Sequence, residues 1–183
     1  MSDINKAIEY VRANQEKFLK ELQEFSAIPS ISTLDENKPD MQRAAEWVAN
    51  QLKSLGMNNV QIMPTAGHPV VYGEWMGAGK NAPTIMIYGH YDVQPVDPIE
   101  LWTSDPFKTE VRGDYLFGRG TSDMKGQVVA SLKAVEAIVR TGEAKVNIKW
   151  LIEGEEEIGS MNLGEFIKNN KELLACDFCL NPD

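Results

Sequence analysis

The feature that most constrains the fold is the alternation of amphipathic segments with short, wholly apolar ones. Apolar residues recur every three or four positions in four segments, which predicts helices over residues 3–26, 40–55, 122–140 and 161–170. Apolar and β-branched runs between them predict strands over residues 60–63, 70–75, 84–88, 146–152 and 177–180. This order predicts an α/β fold, with helices on both faces of a mixed, largely parallel sheet.

Several local signals refine this prediction. Asp40 is a plausible N-cap for the second helix, and Gly56 follows its end. Gly113 and Asp114 lie between two apolar runs and predict the turn of a β-hairpin, which also accounts for the sequence RGD at this position.

Composition excludes several classes of function. The chain has 183 residues, 43% of them hydrophobic and 25% charged, as expected for an ordinary globular domain. Its formal charge of −9 argues against nucleic acid as a partner, because phosphate binding requires clustered Lys and Arg. No apolar run approaches the 18 to 20 residues, roughly, that a membrane-spanning helix needs. The N-terminal segment contains acidic residues and resembles neither a secretory signal nor a transit peptide.

The two cysteines bear on the compartment. Cys176 and Cys179 form a C-x-x-C motif, but a zinc ribbon would need a second pair. We interpret them as reduced thiols buried in the last strand, which favours a cytoplasmic location.

Candidate chemistry lies where the predicted strands end. His90 and Asp92 follow the apolar run 84–88, and Asp183 follows the last strand. Asp123 lies at the start of the long helix 122–140. Ligands bind at the carboxyl ends of strands in open α/β sheets, so we expect these side chains to share one cleft.

The residue types in this cleft indicate a metal site. Taken singly, each of these acids would be read as a helix cap or a solvated turn. However, Glu155, Glu156 and Glu157 directly follow the apolar strand 146–152, and three adjacent carboxylates there are costly without a cation. One histidine with several carboxylates suits Zn²⁺ or Mn²⁺ and predicts a two-metal hydrolytic site. Asp92 could accept the proton of the His90 ring nitrogen that faces away from the metal.

Three ordered motifs, "GHYDVQP", "GRGTSDMKG" and "EGEEEIGS", carry a resemblance to a known family. They resemble the dinuclear-metal peptidases, which include carnosine-type and bacterial dipeptidases, glutamate carboxypeptidase, aminoacylase and succinyl-diaminopimelate desuccinylase. The resemblance spans nearly the whole chain and is strongest to the dipeptidase branch. It implies hydrolysis of a peptide bond in dipeptides or short peptides. Hydrolysis of N-acyl or N-succinyl amino acids is the alternative within the same chemistry.

The resemblance also implies roles for individual residues. It assigns His90, Asp123 and Asp183 to one divalent metal ion, with Asp123 bridging to a second ion that Glu157 also binds. Glu156 matches the general base, and Asp92 the catalytic aspartate that orients His90. Zn²⁺ is the expected metal, with Mn²⁺ or Co²⁺ as alternatives.

Two departures from the family pattern limit these expectations. The second metal takes a histidine from late in the chain, yet His68 is the only other histidine here, and its early loop position gives it little weight as a substitute. Met124 stands where many dipeptidases have a second aspartate, although the desuccinylase branch tolerates methionine.

The resemblance predicts that residues 1–183 are the N-terminal part of a catalytic domain. The family inserts a lid and dimerisation domain after the strand that ends at Asp183, and a C-terminal catalytic segment follows it. We therefore expect a full-length homodimer that acts on small peptides, and an inactive fragment for these 183 residues alone.

Overall fold

The computed structural model describes residues 4–183 and contains a five-stranded sheet and a separate two-stranded hairpin. The strands are β1 (Asn58–Met63), β2 (Val70–Trp75), β3 (Thr84–His90), β4 (Glu110–Arg112), β5 (Tyr115–Phe117), β6 (Asn147–Glu153) and β7 (Phe178–Leu180). Strands β4 and β5 form the hairpin predicted around Gly113 and Asp114.

Six α-helices accompany these strands in the described part of the chain. They are α1 (Ile4–Ala13), α2 (Gln15–Ser26), α3 (Lys38–Ser54), α4 (Lys125–Arg140), α5 (Leu163–Asn169) and α6 (Lys171–Leu174). Within residues 4–183 no helix combines the length and the apolar character that crossing a membrane would require.

The large sheet has the strand order β1-β2-β6-β3-β7. Strand β3 pairs in parallel with both β6 and β7, whereas β2 pairs antiparallel with β1 and β6. The mixed α/β fold is thus confirmed, but the parallel part is smaller than predicted, at two of the four pairings. Because β3, β6 and β7 run in the same direction, their carboxyl ends lie at the same end of the sheet.

Apolar clusters cover both faces of the sheet, as the sequence predicts. On one face, Ile148, Trp150 and Ile152 of β6 pack with residues of α2, α3 and α4 and are fully buried. On the other face, Leu151 packs with Phe166 of α5 and Leu174 of α6. This burial fixes β6 and β3 in the centre of the molecule, so the loops that follow them start from rigid positions.

Several helix boundaries differ from the prediction, and α4, for example, begins at Lys125 rather than at residue 122. Residues 3–26 do not form one helix, because the chain breaks at Asn14, whose side-chain amide donates to the Tyr10 carbonyl. Residue 3 itself lies outside the described residues. Helix α3 begins at Lys38 rather than after an Asp40 cap, and Asn37 donates to the Asp40 carboxylate inside the first turn.

The prediction of buried cysteines is wrong. Cys176 and Cys179 are both free thiols, and both are exposed. Strand β7 lies at the edge of the sheet and pairs with β3 through only three residue pairs, and its three residues are exposed. The sequence pattern identified the strand correctly but could not show that it lies at an edge.

Candidate metal centre

Four separate segments meet around the ring of His90. This ring lies at the end of β3 and is fully buried. Its Nε2 atom is 3.2 Å from Asp123 Oδ1, 3.8 Å from Asp183 Oδ2 and 3.8 Å from Glu156 Oε2. One ligand atom each from His90, Asp123 and Asp183 can be chosen so that all lie within 4.8 Å of one another. The four segments therefore converge, and one imidazole and two carboxylates lie where they meet.

Asp92 connects this centre to the loop after β6. Its Oδ1 atom is 3.2 Å from His90 Nδ1 and accepts the backbone N–H of Glu156 at 3.3 Å. Its Oδ2 atom accepts the backbone N–H of Glu157 at 3.1 Å and the hydroxyl of Ser32 at 2.7 Å. One fully buried carboxylate thus contacts the imidazole of His90 and the backbone N–H groups of Glu156 and Glu157, and it fixes their relative positions.

The local charges favour a cation at His90. Burial alone would lower the pKa of His90, but the hydrogen bond and charge of Asp92, together with the charge of Glu156, raise it to about 9. Burial raises the pKa of Glu156, as do the nearby Glu157 and Asp183, although His90 opposes the shift. With Asp92 beside Nδ1, the Nε2 atom faces the carboxylates, where a proton and a divalent cation would compete for the same lone pair.

The turn after β6 explains the sequence E-E-x-G-S. Glu156–Ile158 form a 3₁₀ turn, after which Gly159 and Ser160 have φ values of 89° and 50°. Such left-handed backbone is easy for glycine and uncommon for serine. The Ser160 hydroxyl donates to Glu153 Oε1 at 2.8 Å, and its N–H donates to the Glu155 carbonyl at 2.7 Å, so both bonds stabilise the turn. This turn directs the N–H groups of Glu156 and Glu157 toward Asp92.

The first of the three consecutive glutamates has a structural role. Glu155 is buried, and its carboxylate accepts hydrogen bonds from the His68 N–H and the Asn162 side-chain amide. It therefore points away from the metal centre, in agreement with the motif alignment that passes over it.

Glu157 lies beside the centre but outside the group of close ligand atoms. Its Oε2 atom accepts a hydrogen bond of 2.7 Å from the Gln94 side-chain amide. Of the four predicted metal ligands, the structure thus brings together His90, Asp123 and Asp183. The Glu157 carboxylate is instead bonded to Gln94, a contact that the sequence did not reveal, and only the Glu157 backbone N–H reaches Asp92.

The loop before α4 positions Asp123. Its neighbour Met124 is fully buried, and the Met124 sulfur accepts the backbone N–H of His90 at 3.1 Å. Lys125 is also fully buried, and its ammonium donates to the carbonyls of Ile28 at 2.6 Å and Phe25 at 3.1 Å. The methionine that departs from the family pattern is therefore part of the core beneath His90.

The second histidine of the chain is not in the metal centre. His68 Nε2 is 3.2 Å from the carbonyl oxygen of Ser32, and within residues 4–183 His68 does not belong to the group of close ligand atoms. It does not substitute for the late histidine that the family pattern requires.

The donor set fits a divalent cation. An imidazole nitrogen and carboxylate oxygens are ligands that Zn²⁺ and Mn²⁺ both accept, and Asp92 is placed as the outer carboxylate that orients a metal-binding histidine. The close approach of Asp123 and Asp183 to one imidazole nitrogen gives such an ion two negative partners.

Comparison with known proteins agrees with this geometry. The chain is 33% identical over 165 residues to cysteinylglycine-S-conjugate dipeptidase of Corynebacterium striatum, covering 90% of this chain and 36% of that protein. It is 35% identical over 147 residues to succinyl-diaminopimelate desuccinylase of Dechloromonas aromatica, covering 78% of this chain and 37% of the relative. The crystal structure of human carnosine dipeptidase 1 superimposes with a TM-score of 0.89 at 31% identity, covering 98% of this chain and 41% of that one.

The chain thus spans about a third of the length of the curated relatives it matches. Residues 86–182, which contain His90, Asp92, Asp123, Glu156 and Glu157, match the sequence profile described as Peptidase family M20/M25/M40. The chain belongs to Peptidase family M20/M25/M40.

Proposed function

We propose that this chain forms the N-terminal part of the catalytic domain of a metal-dependent peptidase that hydrolyses dipeptides or short peptides. The observation that carries the proposal is the convergence of Asp123, Asp183 and Glu156 on the buried Nε2 atom of His90. The dipeptidases among the proteins similar to this chain support the substrate class.

Two divalent ions, with Zn²⁺ expected and Mn²⁺ or Co²⁺ as alternatives, would complete the site. His90, Asp123 and Asp183 would hold one ion. Asp123, Glu157 and a histidine outside residues 1–183 would hold the other. When bound, such ions lower the pKa of a water molecule and polarise the carbonyl of the substrate.

The side chains of this chain would carry the proton transfers. Glu156 accepts a proton from the attacking water as the water oxygen bonds to the carbonyl carbon, and then gives that proton to the nitrogen as the C–N bond breaks. Asp92 keeps the His90 proton on Nδ1, so that Nε2 remains available to a metal ion.

Hydrolysis of N-acyl or N-succinyl amino acids is the second candidate. It would use the same residues, and both Met124 and the similarity to a desuccinylase favour it. A panel of dipeptides and N-succinyl amino acids would separate the two, because the reaction is shared and only the substrate pocket differs.

The wider organisation of the protein remains a prediction. We propose that a lid and dimerisation domain lies outside residues 1–183, that the full-length protein is a homodimer, and that these residues alone are inactive. A cytoplasmic location also remains a prediction and rests on the use of cysteine.

The decisive experiment is Glu156→Gln in the full-length protein. We expect turnover to fall by about 10²- to 10⁴-fold, the usual contribution of a general acid–base, while the bound Zn²⁺ per chain stays unchanged. Glu165→Gln is the control, because it makes the same substitution on an exposed side chain of helix α5. It should keep its turnover. Full activity of Glu156→Gln would disprove the assigned role, and a wild-type protein without bound metal would disprove the proposed chemistry.

A further inference from the structure

We propose that Ser32 is a positioning residue of the metal centre, which fixes the carboxylate of Asp92 and is itself held by His68. The inference rests on the proposed function, because it assigns Ser32 a role in the metal binding that this function requires. Ser32 lies outside the three motifs and outside the segment that matches the family profile.

The contact between Ser32 and Asp92 is short and buried. The Ser32 hydroxyl donates to Asp92 Oδ2 at 2.7 Å, and Ser32 is only 8% exposed. Hydrogen bonds to an ionised acceptor in such surroundings are shorter and stronger than neutral ones. The other donor to Oδ2 is the backbone N–H of Glu157 at 3.1 Å.

The two carboxylate oxygens of Asp92 contact different groups. Oδ1 lies beside His90 Nδ1, whereas Oδ2 faces Ser32. Without the hydroxyl, only the Glu157 N–H would hold the Oδ2 end, and the carboxylate could rotate about its last bond. Rotation would take Oδ1 away from His90 Nδ1, which would then keep only the Asp92 backbone carbonyl, at 3.0 Å, and the direction of the opposite ring nitrogen would be less well defined.

The backbone around Ser32 is held in place beside the loop after β3. The Val93 N–H donates to the Ser30 carbonyl at 2.9 Å, and Ile31 pairs with Val93 in a parallel bridge. Both contacts are made by the backbone, so they do not depend on the side chain of Ser30. The path of the chain therefore brings the Ser32 hydroxyl to Asp92 before any ligand binds, which is the preorganisation that a precise site needs.

His68 contacts the backbone carbonyl of Ser32, whereas Asp92 contacts its hydroxyl. Its ring Nε2 lies 3.2 Å from the Ser32 carbonyl oxygen, which can only accept, so this nitrogen carries the proton. The backbone N–H of His68 is held in turn by Glu155 at 3.1 Å. His68 and Glu155 therefore both help to hold the backbone of Ser32 in place, although neither belongs to the group of close ligand atoms.

The test measures Zn²⁺ affinity in the full-length protein by competition with a chromogenic chelator. Ser32→Ala should weaken Zn²⁺ binding by about 10- to 100-fold, the usual effect of losing an outer partner of a metal ligand. Ser32→Thr keeps the hydroxyl and should restore most of the affinity. His68→Ala should weaken binding less, and should add little in the Ser32→Ala background if it acts through Ser32.

Ser30→Ala is the matched control. It removes a buried hydroxyl from the same segment, but one that donates to a backbone carbonyl rather than to Asp92. It should lower the thermal midpoint and leave the Zn²⁺ dissociation constant within about twofold, since the outer partner of the metal ligand is intact.

The outcomes separate the two proposals. Unchanged Zn²⁺ affinity in Ser32→Ala, beside a wild-type protein that binds Zn²⁺ and turns over peptide, would overturn the role of Ser32 alone. Equal losses in Ser32→Ala and Ser30→Ala would also overturn it, since they would reflect only a less stable fold. A wild-type protein that binds no Zn²⁺, Mn²⁺ or Co²⁺ would overturn the proposed function as well.

Discussion

Asp92→Asn tests whether one carboxylate organises the metal centre. The substitution keeps the size of the side chain but replaces one acceptor oxygen with an NH₂ donor. In the native protein the two oxygens of Asp92 accept from four donors: His90 Nδ1, the Glu156 N–H, the Glu157 N–H and the Ser32 hydroxyl. An asparagine must therefore place its NH₂ group against two of these donors, whichever way the amide turns.

The geometry decides which orientation costs less. With NH₂ at the Oδ1 position, the Glu156 N–H would lose its acceptor, and His90 Nδ1 would face the NH₂ group and keep only the Asp92 backbone carbonyl, at 3.0 Å. With NH₂ at the Oδ2 position, the Ser32 hydroxyl can rotate and accept, so only the Glu157 N–H is left without a partner. An unsatisfied buried donor costs about 1–3 kcal/mol, and we expect the free energy of unfolding to fall by that amount.

The assay is urea unfolding of the full-length protein with a chelator present, so that metal binding does not contribute. Asp177→Asn is the control, because the Asp177 carboxylate is exposed and accepts a single bond of 2.8 Å, from the Thr84 N–H. The control should lose less than about 1 kcal/mol, the usual net value of one such bond. Equal stability of Asp92→Asn and the wild-type protein would refute the claim that Asp92 satisfies these buried donors.

Two further predictions concern stability away from the ligand atoms. Gly154→Ala would place its Cβ atom 2.4 Å from the Tyr91 hydroxyl oxygen, so the thermal unfolding midpoint should drop by the equivalent of about 1–3 kcal/mol. Gly164→Ala is the control, because a Cβ atom there meets open space and should not lower the midpoint. Burial opposes the shift, but hydrogen bonds from Tyr10 and Lys133 lower the pKa of Glu136 below its ordinary value. Ionised Glu136 therefore stabilises the fold at pH values above its ordinary pKa. This stabilisation is lost as the pH falls through the lower pKa of the folded state. Glu136→Gln should flatten the acid side of the urea midpoint measured from pH 7 to pH 3, and parallel curves would contradict this.

The sequence predicts the elements of the fold well where burial dictates the residue pattern. Strands β3 and β6 lie in the middle of the sheet, so nearly every position had to suit a buried environment. The exposure of Cys176 and Cys179 could not be predicted in the same way, because it depends on which strand forms the edge of the sheet rather than on local sequence.

The sequence likewise identified some residues of the candidate site but not the contacts that hold them in place. His90, Asp123 and Asp183 stand out in the sequence because polar groups directly after apolar strands, or at the start of a helix, are conspicuous. The backbone N–H donors to Asp92 leave no mark on residue type, since every residue except proline has an N–H. Ser32 is hidden for another reason: it lies 60 positions before Asp92, and only the tertiary fold brings the two together.

The contacts of the buried Lys125 side chain limit how far this protein can be truncated at its N-terminus. The family profile begins at residue 86, and a fragment designed from that boundary would appear to keep most of the catalytic machinery. Yet Lys125, two positions from Asp123, donates to the carbonyls of Phe25 and Ile28. Such a fragment would lack both carbonyls that hold the Lys125 side chain. The segment that matches the family profile is therefore smaller than the unit that positions Asp123, and a fragment meant to fold should also include Phe25 and Ile28.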